Sequence, residues 1–270
     1  MSVFMDLNIT AGTDKAKLQS TIETAAHLGY STVAINYVVE GQKKKQLIPT
    51  PQPLAELFET FPTVQGKSRP IKVLNRLTVV ATDASHFRPT NEYKNFDLLA
   101  VHPKTDKLFH AACMNYDVDI ICISATEPQS FHFKRSPVNG AIERGVFFEI
   151  SYSAGIRDPT MKKYTITNAV NLISVCKGKN VIVASGAEAP LNLRGPYDIA
   201  NLGLIFGLSE GDSKAAVSTN CRSVVLHGET RGTALGIIHT MKRPQLPTEQ
   251  PEEEIPAAKK AKTDDGSLIV

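Results

Sequence analysis

Residues Lys177 to Asn220 read KGKNVIVASGAEAPLNLRGPYDIANLGLIFGLSEGDSKAAVSTN. The run Val181-Ile182-Val183-Ala184 has no polar position, as expected of a strand covered on both faces. A turn of small residues follows, Ser185-Gly186-Ala187. Then comes Arg194-Gly195-Pro196, followed by apolar residues at helical spacing: Ile199, Leu202, Ile205 and Phe206. Pro196 suits a first helical position, where its missing N–H is not needed. Gly207 suits the left-handed helix end. A buried strand thus leads through a loop carrying Arg194 to a helix N-terminus, an arrangement suited to phosphate oxygens.

The same pattern recurs outward from this unit. Strand-like runs are predicted at Val3–Leu7, Thr32–Ile35, Val73–Val80, Leu98–Val101, Ile120–Ile123, Val146–Ile150 and Val181–Ala184. They are continuous rather than alternating, which points to a parallel sheet buried under helices. Helices are predicted from a Thr13 cap to His27, and over Leu54–Phe61, Thr105–Met114, Val138–Arg144 and Pro159–Lys177. Strand–helix alternation of this length favours a TIM-like (β/α) barrel over an open sheet. An eighth strand is not clear. Ser223–Leu226 is a candidate, but Asn220 could equally cap a helix there.

Composition sets the outer limits. Of 270 residues, 42% are hydrophobic and the formal net charge is +3. From Lys242 onward there are five Lys/Arg and six Asp/Glu, so residues 1–241 carry about +4. We expect residues 1–241 to form the barrel domain and 242–270 a disordered tail rich in Pro and charge. Glu40–Pro53 reads as an exposed loop. Cys113, Cys122, Cys176 and Cys221 make no CxxC pair, which argues against structural zinc. Cys122 lies in an apolar run and is expected to be a buried, reduced thiol. No apolar run approaches the ~20 residues of a membrane span, and the N-terminus lacks a secretory h-region. The expectation is an intracellular protein without a membrane partner.

Basic residues gather near predicted loops: Lys67 and Arg69 before the third strand, with Lys72 and Arg76 after them; Lys134 and Arg135; Arg157, Lys162 and Lys163; and Arg194. Dispersed Lys and Arg in loops suit RNA phosphates without base reading. The stretch His227-Gly228-Glu229-Thr230-Arg231-Gly232 reads as a polar, Gly-rich loop able to touch phosphate, although it lacks P-loop spacing. No nucleophile triad is visible.

Several long segments carry a resemblance: VFMDLN from Val3, ETAAHLGYSTVAIN from Glu23, VQGKSRPIKVLNRLTVV from Val64, FKRSPVNGAIERGVFFEISYS from Phe133, and Lys177–Asn220 itself. The sequence resembles the thirty-kilodalton protein subunits of eukaryotic ribonuclease P and ribonuclease MRP over roughly residues 1 to 240. The resemblance implies a barrel related to polymerase-and-histidinol-phosphatase phosphoesterases. Those enzymes carry a His-x-His pair after Asp-Leu. Here Asp6-Leu7 is followed by Asn8 and Thr10, both poor metal ligands. Beyond them, His102 and Glu188 are the nearest candidates, too few for a metal centre. The expectation is therefore no catalytic and no metal-binding residue. RNA-binding residues are expected at Lys67, Arg69, Lys134, Arg135, Arg157, Lys162 and Arg194.

The resemblance further implies partners: ribonuclease P RNA, ribonuclease MRP RNA, precursor tRNA indirectly, and other protein subunits, including a small ferredoxin-like one. The RNA would be the catalyst in removing 5′ leaders from precursor tRNA, and magnesium would belong to it, leaving this chain without a cofactor. The related particle would process ribosomal RNA precursors. Lys259, Lys260 and Lys262 resemble a nuclear import signal, consistent with nucleus and nucleolus. The competing readings are a stand-alone metal-dependent phosphoesterase and a module whose basic loops bind acidic protein.

Overall fold

The computed structural model describes residues 3–40, 48–87 and 90–233. Seven strands form one parallel sheet in sequence order: β1 (Phe4–Thr10), β2 (Tyr30–Glu40), β3 (Lys72–Ala81), β4 (Leu98–Pro103), β5 (Ile120–Cys122), β6 (Phe147–Ser151) and β7 (Val181–Ala184). The residues after β7 bring the sheet back to β1. Thr10 N donates to Ala187 O at 2.9 Å, and Gly186 N to Asn8 O at 2.8 Å. The result is a seven-stranded (β/α) barrel, as the unbroken apolar runs predict.

Around it stand α1 (Lys15–His27), α2 (Leu54–Leu57), α3 (Asp106–Met114), α4 (Arg135–Glu143), α5 (Ser153–Arg157), α6 (Pro159–Cys176), α7 (Pro196–Phe206), α8 (Glu210–Ala216) and α9 (Thr219–Gly232). The core has two compartments. One lies between sheet and helices, with Ile22, Val33, Val101, Phe148, Leu172 and Phe206 among its members. The other fills the barrel lumen with Met5, Leu7, Leu74, Ile120, Phe147 and Ile182.

Local chemistry corrects several sequence expectations. Asp14, not Thr13, caps α1, its Oδ1 accepting from Lys17 N. Helix α2 stops at Leu57, because Phe58 turns extended. Helix α4 begins at Arg135, three residues earlier than expected, with Pro137 tolerated in its first turn. Strand β2 runs on to Glu40 because it pairs with β3 from Thr32↔Lys72 to Glu40↔Val80. The Pro196 and Gly207 boundaries of α7 hold; Gly207 has φ +96°.

Ser223–Leu226 is helical, and there is no eighth strand among the described residues. Asn220 does not cap α9; its Nδ2 donates to Val181 O at 2.7 Å. Helix α9 instead covers the N-terminal end of the barrel. Cys221 and Val224 enter the lumen cluster. At Gly228 the helix passes so close that a Cβ would lie 2.5 Å from Asp97 O. His227 to Gly232 is therefore the end of this helix, not a phosphate loop. His227 Nδ1 and Arg231 both reach the buried Asp119, at 2.7 Å and 3.0 Å. Residues 41–47 of the expected Glu40–Pro53 loop, and the whole 242–270 segment with Lys259, Lys260 and Lys262, lie outside the described residues.

Candidate functional site

Active sites of (β/α) barrels sit at the C-terminal ends of the strands. Below that mouth the lumen turns polar. Arg76 of β3 is fully buried there and ion-paired with Glu149 of β6. All five of its N–H donors are used. Nε reaches Thr78 Oγ1 at 3.1 Å, Nη1 reaches Leu7 O at 2.7 Å and Glu149 Oε2, and Nη2 reaches Glu149 Oε1 at 2.9 Å and Cys122 Sγ at 3.1 Å. The adjoining carboxylate holds the guanidinium firmly charged despite burial. Cys122 has its pKa pushed far up, first by burial and then by Glu149. It is a buried free thiol without nucleophilic character.

Asn8 completes the cluster. Its Nδ2 donates to Glu149 Oε1 at 2.8 Å, and its Oδ1 accepts from Asn36 Nδ2 at 2.8 Å. Asn36 Oδ1 in turn accepts from Thr78 Oγ1 at 2.7 Å. The lumen therefore contains its own cation and a closed hydrogen-bond network.

The other residues weighed for metal binding do not converge. Asp6 is buried at the β1–β7 seam rather than at the mouth, its Oδ1 accepting from Asn8 N and Ser185 N. Burial raises its pKa to about 6. Thr10 lines a shallow hollow with Asp14, Lys17 and Glu188. Glu188 is engaged by Arg157 Nη1 at 2.7 Å. His102 lies in a separate hollow beside Lys104, Ser124 and Glu127, and burial lowers its pKa to about 4. Among the described residues no group of three His, Cys, Asp or Glu side chains is placed to hold a metal ion.

The basic residues singled out from sequence separate into two groups. Lys67 and Arg69 precede β3, at the N-terminal end of the barrel, with Lys67 Nζ 2.5 Å from Ser31 Oγ. Lys134, Arg135, Arg157, Lys162 and Arg194 follow β5, β6 and β7 and share the C-terminal end. Lys134 pairs with Asp106 at 2.6 Å on an exposed surface. Arg157, Lys162 and Arg194 come together around one groove between α5–α6 and α7. Arg76, grouped by sequence with Lys67 and Arg69, is instead inside the barrel.

The Arg194 loop is held from beneath. Tyr30 OH donates to Arg194 O at 2.9 Å, and Arg194 N donates to Tyr152 OH at 3.1 Å. Arg194 Nη1 donates to the carbonyls of Leu191 and Leu193, each at 2.7 Å. No ion pair joins it to Asp198 among the described residues.

Sequence reading passed over the Arg76–Glu149 pair and the Asp119–His227–Arg231 cluster. The first left a signal: one charged residue stands inside each of the predicted runs Val73–Val80 and Val146–Ile150. The second left none, because its members are about 110 positions apart and meet only through α9.

Comparison with known proteins agrees with this architecture. The sequence model of the family described as RNase P subunit p30 matches residues 3–233. The mouse ribonuclease P protein subunit p30 is 58% identical over 266 residues, covering 97% of this chain and 99% of the mouse protein. The probable ribonuclease P protein subunit 3 of Schizosaccharomyces pombe is 33% identical over 233 residues, covering 85% and 95%. A chain in a cryo-EM structure of archaeal ribonuclease P with mature tRNA superposes with a TM-score of 0.61 at 12% identity, covering 90% of this chain and 100% of that one, which shows the shared fold. This chain, with its seven-stranded barrel and polar lumen, belongs to the RNase P subunit p30 family.

Proposed function

We propose that this chain is a non-catalytic protein subunit of ribonuclease P, the particle that removes 5′ leaders from precursor tRNA, and of the related ribonuclease MRP in ribosomal RNA processing. The observation that carries the non-catalytic reading is Arg76. Its guanidinium lies in the lumen beneath the barrel mouth with every donor engaged, so a buried cation stands there and disfavours a metal ion beside it. The family relation supports membership in the particle. The RNA, with its magnesium, supplies the chemistry, and this chain needs no cofactor of its own.

Its work is to hold RNA and fellow subunits. Lys67, Arg69, Lys134 and Arg135 offer charge to RNA phosphates at the two ends of the barrel. The Lys134–Asp106 pair is exposed and weak, so a phosphate can displace the carboxylate. Lys259, Lys260 and Lys262 serve nuclear entry, placing the protein in nucleus and nucleolus. The test is cleavage by RNA-free protein. Purified chain with Mg²⁺, Mn²⁺ or Zn²⁺ is expected to leave precursor tRNA and generic phosphoesters intact, while the chain retrieved from cells carries ribonuclease P RNA. Metal-dependent cleavage that disappears in His102→Ala would overturn the reading.

A further inference from the structure

Helix α7 is mostly apolar, with Asp198 and Asn201 the polar side chains on its outer side. Ile199, Ala200, Gly203 and Phe206 are buried, yet Leu204 and Ile205 on the outer side are 47% and 59% exposed. A helix on a protein surface ordinarily turns a polar face outward. Of the ten large hydrophobic residues exposed among the described residues, five lie on α5, α6 and α7: Ile156, Val170, Tyr197, Leu204 and Ile205. Ile156 and Ile205 line one groove and Val170 the hollow beside it, whereas Tyr197 packs edge-on against Phe4. Exposed apolar side chains gathered at a groove mark a surface that another molecule covers.

The surface is also shaped. A groove of about 630 Å³ runs between α5–α6 and α7, with Ile156, Ile166, Leu202 and Ile205 along it and Phe206 at its base. A second hollow of about 420 Å³, lined by Val170 and Lys177, shares Phe206 with it. The eleven residues of α7 span about 16 Å, enough to lie along three turns of a docked helix. One end of the groove carries Arg157, Lys162 and Arg194, with Asp198 beside them and Arg157 paired with Glu188 on an exposed surface. Arg194 Nε and Nη2 have no partner among the described residues.

We infer that this groove docks an amphipathic helix of a partner protein. Its apolar stripe, at i, i+3, i+4 and i+7, packs on Ile156, Leu202 and Ile205, and its carboxylates meet Arg157, Lys162 and Arg194. The aliphatic walls give nothing to a phosphate backbone. The two aromatic rings that line it, Tyr152 and Phe206, are both buried and offer no stacking plate to a base. RNA therefore fits this groove poorly, although it suits the cations outside it. The inference rests on the proposed role as one subunit among several.

The test places a benzophenone photo-crosslinker at position 205 of the full chain, within the particle purified from cells through its RNA. The expected product joins position 205 to a different protein subunit, in a helical segment bearing Asp or Glu. A crosslink to RNA, to a second copy, to residues 234–270 of the same chain, or to nothing overturns the inference. In parallel, Ile205→Glu is expected to keep the melting temperature of the isolated chain and to lower its incorporation into the particle about tenfold or more. Reversing a facing carboxylate on the partner is expected to rescue Arg194→Glu. If the unmodified chain retrieves no ribonuclease P RNA, the subunit reading has failed. If it retrieves the RNA and position 205 finds no other protein, only the docking inference has failed.

Discussion

Arg76 and Glu149 meet inside the barrel with Arg76 Nη2 at 2.9 Å from Glu149 Oε1, and neither side chain touches solvent. They join β3 to β6 across the lumen, while the Arg76 bonds to Leu7 O and Cys122 Sγ reach β1 and β5. Four strands thus share one guanidinium. Removing one member of a buried pair strands the other charge. Arg76→Leu is therefore expected to destabilise the fold by about 3–5 kcal/mol. The double variant Arg76→Met with Glu149→Leu is expected to recover most of that loss, because no uncompensated charge stays behind. Urea denaturation of the three proteins reads both outcomes. Equal loss in the single and double variants would mean that the network, not the isolated charge, sets stability.

The barrel was legible because its strands are covered on both faces, so Val73–Val80 and Val181–Ala184 announce themselves without periodicity. The helix boundaries at Pro196 and Gly207 were legible because each residue type serves one backbone geometry. Other features depended on contacts far apart in sequence. Nothing local says that residues 219–232 close the barrel floor: Ser223–Leu226 reads as strand or helix alike, and His227–Gly232 reads as a loop until Gly228 is seen against Asp97 O. Arg76 read as one more surface cation because charge in a sequence carries no sign of depth. The Asn8 and Thr10 positions showed a poor metal site, but only the fold shows what occupies the space instead.

Asp6 makes stability depend on pH. Its carboxyl is buried at the β1–β7 seam, Oδ2 has no hydrogen-bond partner, and burial raises the pKa from 3.8 to about 6. A carboxyl with a raised folded pKa gives a contribution fully present below about pH 3.8 and lost as pH rises through about 6. At neutral pH the ionised group costs roughly 3 kcal/mol. The falling component of stability between about pH 4 and 6 is expected to vanish in Asp6→Asn, whose Oδ1 still accepts from Ser185 N. Thermal melts across that range decide it; an unchanged slope in the variant would assign the dependence elsewhere.

His227 acts with the same sign on the barrel floor. Its hydrogen bond to Asp119 is the main cause of a raised pKa, opposed by partial burial. Stability from the charged imidazole is fully present below pH 6.5, its ordinary pKa, and is lost as pH rises through the higher folded value. Amide exchange in α9, after division by the intrinsic base-catalysed rate at each pH, is expected to quicken above neutral pH. Asp119→Ala, which strips both His227 and Arg231 of their carboxylate and leaves Leu99 N without its acceptor, is expected to quicken it at every pH. Exchange in α1, on the outside of the barrel, should move little. Uniform quickening through the chain would mean that α9 does not open separately.

Arg194 separates a bracing role from a docking role. Its loop is anchored by main-chain bonds to Tyr30 and Tyr152, which truncating the side chain does not touch. What Arg194→Ala removes is the pair of bonds from Nη1 to the Leu191 and Leu193 carbonyls, together with a cation at the head of the α6–α7 groove. The Leu191 carbonyl contact is exposed to water, which can replace the lost donor. The stability change is therefore expected to stay within about 1 kcal/mol. Tyr152→Phe, by contrast, leaves the Arg194 N–H without its acceptor in a part-buried site and is expected to cost about 1–3 kcal/mol. Incorporation into the particle should show the reverse order: strongly reduced in Arg194→Ala, and less so in Tyr152→Phe once folding is complete. Arg194→Lys is expected to stay defective, because one ammonium cannot hold two carbonyls in a fixed fork and still present planar N–H groups to a carboxylate. If Arg194→Ala instead melts as early as Tyr152→Phe and enters the particle normally, the guanidinium only braces its own loop.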